Sequence, residues 1–373
     1  MKTRIALHPA AELMKAVVAL AVIAMATPNI FAAEKIEDTL AVKVKKSLRG
    51  PRGMPGDFVQ LKDGTLLMSY TKDGAIMGVK SSDEGVTWGK SFVLIERPKG
   101  PSSLRYKHPS FLRLANGHIL LSYIYNTHPA KPYFAHNYVR RSTDEGKTWS
   151  DQICMTPHRG YVLVHNDKLF TLSSGRIVAM AAYKAHMPSS HDHNGYVGMA
   201  FYSDDNGHSW HASENFVDMK SIEVQEPDGV ELKDGRVMMF ARTYSGFPVR
   251  AYSEDGCKTW SKGEPIKQLK MPYAGLPTVR RIPSTGDLLF IWISEQSKDK
   301  VDPRIRRSCT LSSAISKDEG KTFVHQRKIV SDPEDDFGYQ CIEFIGDDRA
   351  VVAYHARDGL HVARIPVDWF YGK

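Results

Sequence analysis

One eight-residue pattern, Ser-x-Asp-x-Gly-x-Thr-Trp, constrains this chain more than any other feature. It occurs at Ser81–Trp88, Ser142–Trp149 and Ser203–Trp210, and in looser form at Ser253–Trp260 and Ser316–Phe323. Successive copies start 61, 61, 50 and 63 residues apart. A fixed period of this kind marks repeated supersecondary units packed side by side, so one architecture can use the whole length of 373 residues. The pattern also carries its own local physics. The Asp can accept backbone N–H bonds across a turn, the Gly permits a positive φ, and the Trp can pack into the sheet. It is therefore read as a structural turn and not as a catalytic motif.

A second repeat interleaves with the first. Two apolar strands flank a tight turn at 58–70, 111–123, 169–183, 229–243, 279–293 and 342–356. Their turn residues include Asp-Gly, Asn-Gly, Ser-Gly and Thr-Gly, the types that tight hairpins require. Six hairpins predict an all-β, six-bladed β-propeller with four-stranded antiparallel blades. The Gly-turn hairpin supplies the two inner strands of a blade, and the Ser/Asp/Trp turn joins the two outer ones. A sixth copy of that turn is lacking, so either Gly359–Pro366 or Leu40–Lys46 is expected to complete the last blade. A helical period is not seen beyond the N-terminal segment.

Composition supports a large core, with 42% hydrophobic and 10% aromatic residues. The formal net charge is +8, which favours anionic ligands. The charge is spread along the chain without a Lys/Arg block, so no nucleic-acid partner is expected. The run Ala16–Ala26 after Lys15 reads as the core of a signal peptide over residues 1–33, with translation starting at Met1 or Met14. A single mature domain over 34–373 is then expected, periplasmic or extracellular, monomeric, without a membrane span. The four cysteines (Cys154, Cys257, Cys309 and Cys341) follow no compact disulfide or zinc spacing, and buried thiols are expected. No cofactor or metal is called for, although His165, His186, His191 and His193 leave a metal as an alternative.

Up-and-down blades put both hairpin-turn types on one face, leaving the opposite mouth for a ligand. Entering the inner strands at that mouth are Arg52, Asp57, His108, the run His165-Asn166-Asp167, Glu226 and Tyr339. Leaving them are Lys72-Asp73, Lys184, Arg242, and the basic run Arg304, Arg306 and Arg307. Arginines mixed with carboxylates suit an acidic ligand, since a guanidinium fork matches a carboxylate.

These turns and hairpins resemble the sialidase-like BNR, or Asp-box, repeat proteins over nearly all of the mature chain. The resemblance implies an exo-α-sialidase that removes a terminal acidic sugar from a glycan with retention. It assigns the nucleophile to Tyr339 in Phe337-Gly338-Tyr339-Gln340-Cys341. Its base is Glu226 in Gln225-Glu226-Pro227-Asp228, with Glu231 a weaker choice. Three arginines would hold the substrate carboxylate: Arg52, Arg242 in MMFART, and Arg307, with Arg306 or Arg304 as neighbours for the third place. The acid/base is Asp73, with Asp57 as competitor. Asp167 and His108 are further substrate-binding candidates. A tyrosine with a pKa near 10 needs such a base in order to attack, and sialidases are known to depart from the two-carboxylate scheme in this way. Two other readings stand beside this one. One is a propeller enzyme, glycosidase or lyase, on another acidic glycan, with tyrosine and histidines as base and acid. The other is a non-catalytic glycan-binding propeller.

Overall fold

The computed structural model describes residues 35–46, 51, 54–127, 133–186, 195–220, 222–272, 275–300 and 306–373. The signal-peptide segment, Arg52, Arg304, His191 and His193 lie outside the described residues, as does the side chain of Arg306. Among the described residues the chain is a succession of antiparallel strands that form a β-propeller. One short helix, Val367–Phe370, follows the last strand, a turn of helix that the sequence pattern does not announce. No helix among the described residues is long and apolar enough to cross a membrane.

Four sheets have four strands each, in simple up-and-down order. The fifth differs from the six separate four-stranded blades expected: it is one continuous sheet of nine strands. The cause is local. Between Tyr161 and Thr171 the inner strand is split into Tyr161–Leu163 and Leu169–Thr171, both paired with Ile177–Lys184. The first piece also makes a parallel bridge, Tyr161 to Ala135, to the preceding strand set. The segment that interrupts the strand is the one carrying His165, Asn166 and Asp167.

The ring is closed by both of the segments offered as alternatives. Glu37–Lys43 pairs antiparallel with Gly359–Pro366, which pairs with Arg349–Ala356, so N- and C-terminal strands share one sheet. This hydrogen-bonded closure lets a circular array resist opening at its seam.

The Asp-box turns behave as the repeat predicts. The Asp83 carboxylate accepts from Thr87 N–H (2.9 Å), Thr87 Oγ1 (2.5 Å) and Ser81 Oγ (2.7 Å). Ser81 Oγ in turn accepts from Gly85 N–H at 2.8 Å. The same set recurs around Asp144, Asp205, Asp255 and Asp318. These donors hold Asp83 and Asp144 down to about 2. The turns also tie neighbouring sheets together. Glu145 binds Arg113 at 2.7 Å while accepting from Lys62 N–H at 3.0 Å, and Glu319 joins Arg281 to Lys233 in the same manner. Trp210 and Trp260 are buried in clusters contributed by two successive strand sets. In the fourth copy, Cys257 occupies the glycine position at φ +72°, with its thiol buried. All four cysteines are unpaired thiols, three of them buried.

Gly56 shows how tightly the inner strands meet. A Cβ there would lie 2.6 Å from both Pro109 Cγ and Ser69 Oγ, and closer still to the Ser69 carbonyl. Gly56→Ala should therefore lower stability by about 1–3 kcal/mol, the range for overpacking. Urea unfolding measures it, and an unchanged midpoint would show that the two strands can separate freely.

Candidate active site

The site is built by a backbone irregularity that repeats at equivalent positions of different strands. In Arg105–Arg113 the pairing register shifts between Lys107 and Ser110. In Gln225–Glu231 it shifts between Gln225 and Asp228, and in Gly338–Ile345 between Gly338 and Cys341. Each bulge puts its second residue in the left-handed region: His108 at φ +49°, Glu226 at +47° and Tyr339 at +51°. For non-glycine residues this costs on the order of 1–3 kcal/mol each and persists only where surrounding structure enforces it. Bulges redirect side chains, and here three of them turn a histidine, a glutamate and a tyrosine toward one place.

Tyr339, Glu226 and Arg242 line one cavity, together with His355, Phe337 and Ser308. The Tyr339 ring lies 4.9 Å from His108, 5.6 Å from His355 and 6.3 Å from His165, between ring centroids. Glu226 is buried and accepts from Arg242 at 2.8 Å, with His165 Nε2 at 3.8 Å from its other oxygen. Arg242 also reaches the Gln225 side-chain carbonyl and, at 3.2 Å, the Tyr244 hydroxyl. Burial holds His165 down to about 3, helped by the charges of Arg242, Lys168 and Lys107. Burial likewise lowers His108, with His165 and Lys107 adding to the effect. Burial thus favours the neutral imidazole in both. His165 Nδ1 is buried with no hydrogen-bond partner among the described residues, an orphan that a bound ligand could satisfy.

The other residues expected at this mouth are distributed differently. Asp57 and Asp167 sit in a buried ionic network along the inner strands. Arg280 binds two carboxylates of this network, Asp167 directly and Asp228 at 2.9 Å. Lys168 contacts Asp228 at 3.1 Å. Asp57 accepts from Phe111 N–H at 2.9 Å and Ser110 Oγ at 3.1 Å, and Asp167 accepts from Ile342 N–H at 3.1 Å. Burial raises the pKa of both aspartates despite Arg280. Both line a second cavity with Arg280 and Glu343, apart from the tyrosine. Arg307 is 3% exposed and bound to Asp299 and to the Glu334 carbonyl, while its neighbour Ser308 lines the tyrosine cavity. Asp73 is exposed, at the turn after Leu66–Lys72 with φ +53°, and lines a third pocket. Glu231 accepts from Ser173 at 2.7 Å at the far end of its strand. His186 is exposed, and no metal-ligating group is found among the described residues.

Two residues that line these cavities went unread in the sequence. His355 occupies the place in VVAYHA that Arg242 occupies in MMFART, and each pairs opposite the start of its bulge, Gly338 and Gln225 respectively. Aligning the hairpins would have revealed it. Arg280 lies in VRRIPSTG, where nothing local distinguishes it from Arg281.

A propeller whose turns are Asp-boxes, with a polar mouth opposite them, defines the class. Residues 69–343 match the BNR repeat-like domain, and the chain belongs to that family. It is 25% identical over 349 residues to a sialidase of Micromonospora viridifaciens, which covers 83% of this chain and 50% of that protein. It is also 25% identical over 227 residues to a sialidase of Bacteroides fragilis, covering 58% of this chain and 38% of that one. The chain thus spans about half or less of the curated relatives it matches. Among solved structures, a protein of unknown function from Dyadobacter fermentans superposes with a TM-score of 0.65 at 20% identity, covering 88% of this chain and 98% of that one. The intramolecular trans-sialidase of Ruminococcus gnavus gives 0.63 at 14% identity, covering 88% and 97%.

The buried histidines predict a pH response. His165 has a folded pKa of about 3 against about 6.5 in the unfolded chain. A depressed pKa contributes stability above the unfolded value that is lost as pH falls from about 6.5 toward 3. Glu343, raised to about 7 by burial, acts oppositely, losing its contribution as pH rises from about 4.3 to 7. The difference in thermal midpoint between wild type and His165→Gln should therefore shrink as pH is lowered from 7 to 4. A pH-independent difference would contradict a neutral buried His165.

Proposed function

We propose that this protein is a sialidase-type glycoside hydrolase that removes a terminal acidic sugar from glycans. The observation that carries the reading is the convergence of Tyr339, Glu226 and Arg242, 113 residues apart at the extremes, on one cavity. In this reading the Tyr339 oxygen attacks the anomeric carbon as its proton passes to Glu226. The glycosidic oxygen leaves with a proton from an acid, for which Asp73 is the candidate. Water, giving a proton to the now deprotonated acid, then displaces the tyrosine, which takes its proton back from Glu226; two successive inversions give net retention. Arg242 holds the substrate carboxylate, with Arg52 and an arginine of the 304–307 run as further clamp candidates. The propeller itself is proposed to have six blades, the nine-stranded sheet being two of them joined by the Tyr161–Ala135 bridge. Seven hydrophobic clusters span six junctions between successive strand sets, two of them at the junction within the nine-stranded sheet, and six junctions support that count.

The test is release of a fluorophore from an aryl α-sialoside, with trapping of a sugar on Tyr339 by a fluorinated sialoside and mass spectrometry. No turnover by folded protein would overturn the reading. The three histidines around Tyr339 support a second one, a lyase on a uronate-containing glycan, with tyrosine and a neutral imidazole exchanging the proton. Formation of an unsaturated uronate from such a polymer, with no sialoside hydrolysis, would establish it.

A further inference from the structure

A cavity of about 430 Å³ adjoins the mouth, lined by Lys72, Asp73, Arg97, Arg105, Tyr106 and Lys107, with Met54, Thr71 and Ser102 completing it. Four cations face one carboxylate there. None of the four makes an ion pair among the described residues, whereas Arg113, Arg176, Arg236, Arg281 and others all do. Arg105 Nε is buried without a hydrogen-bond partner. Lys107 is pushed down to about 8 by burial and by the charge of Arg105. The cluster therefore holds uncompensated positive charge at a cost that a bound anion would remove. Two strand sets build it: the turn after Leu66–Lys72, and the start of Arg105–Arg113, joined where Tyr106 N–H donates to the Gly74 carbonyl at 3.1 Å. The charge of Lys107 is felt by both His108 and His165, whose rings lie 4.9 Å and 6.3 Å from that of Tyr339, so this cation of the cavity is within electrostatic reach of the tyrosine site.

We propose that this cavity is a binding subsite for an anionic sugar unit, bearing sulfate or carboxylate, next to the one held at Tyr339. The protein would then favour polyanionic glycans over those with a single terminal acidic sugar. The binding claim stands independently of the proposed hydrolysis, because it is read without turnover.

Calorimetric titration tests it with three probes on the full chain: a sulfated disaccharide, an unsulfated uronate disaccharide and a neutral disaccharide. One or both charged probes should bind, weakening with salt, and the neutral one should not. Binding of only the sulfated or only the uronate probe assigns the group. Arg105→Ala/Lys107→Ala should weaken binding about 10-fold or more, because two charge-assisted bonds to the anion are lost. Lys72→Glu/Arg97→Glu, which alters exposed residues and so should spare folding, should weaken it as well. Failure of both charged probes to bind wild type, or equal binding by wild type and the Lys72→Glu/Arg97→Glu protein, would overturn the proposal. Absence of sialoside turnover alongside intact charged-probe binding would instead count against the hydrolase reading alone.

Discussion

On the proposed hydrolase reading, Tyr339→Phe should abolish hydrolysis of an aryl α-sialoside, lowering kcat by about 10³-fold or more, the scale on which removal of a covalent nucleophile acts. The substitution keeps the ring that packs against His108 and His355 and removes only the hydroxyl. Thermal stability should change little, so a folding defect and a chemical one are separable. The KM should move less than kcat, because Arg242 remains to hold the substrate. Glu226→Gln should give a smaller loss and should alter the pH–rate profile, since the amide cannot take the tyrosine proton. It also leaves Arg242 without its 2.8 Å carboxylate, so that variant should weaken substrate capture as well. Retention of more than about a tenth of activity by Tyr339→Phe would remove the tyrosine from the chemistry and transfer attention to the histidines.

The second large effect is expected in stability. Arg280→Ala should cost about 3–5 kcal/mol, the range for removing one partner from a buried charge cluster, out of a total stability of about 5–15 kcal/mol for a typical domain. Arg280 neutralises Asp167 and Asp228 and lies close enough to Asp57 to affect its ionisation. Without it, three buried carboxylates from three different strand sets would share only Lys168. Their protonation relieves the strain, so the penalty should be smaller at pH 5 than at pH 8. Denaturant unfolding at the two pH values checks both statements. A loss under 1 kcal/mol, or one independent of pH, would mean that water already screens the cluster.

That network explains why Asp57 and Asp167 looked like ligand-binding residues. Asp57 lies near the start of an inner strand, as Glu226 and Tyr339 do, and Asp167 just before one; a sequence shows position along the chain but not depth in the fold. His165, Asn166 and Asp167 illustrate the difference in three consecutive residues. His165 packs near Tyr339, Asn166 donates to the Tyr339 carbonyl at 2.9 Å, and Asp167 turns to Arg280. Arg307 shows the same limit from the other side. Its register beside Ser308 suits a clamp, and only the fold shows that Asp299 and the Glu334 carbonyl already hold it, as Glu226 holds Arg242.

What the sequence alone determined was whatever is encoded within one turn or one hairpin. The Asp-box hydrogen bonds span four residues, and the Gly turns set hairpin register through φ angles that few residues adopt. Those local rules were enough to predict a β-propeller and to identify the face opposite the boxes. What only tertiary structure decided depends on contacts between residues far apart in the chain. Closure of the ring by Glu37–Lys43 on Gly359–Pro366 is one such outcome. The fusion of strand sets at Tyr161 is another. The site is the third. His108, Glu226 and Tyr339 meet because equivalent bulges force them into a strained backbone region, and no local propensity favours that conformation for these residues. Contacts between residues far apart in the chain hold it, such as Asn166 on the Tyr339 carbonyl and Arg242 on Glu226.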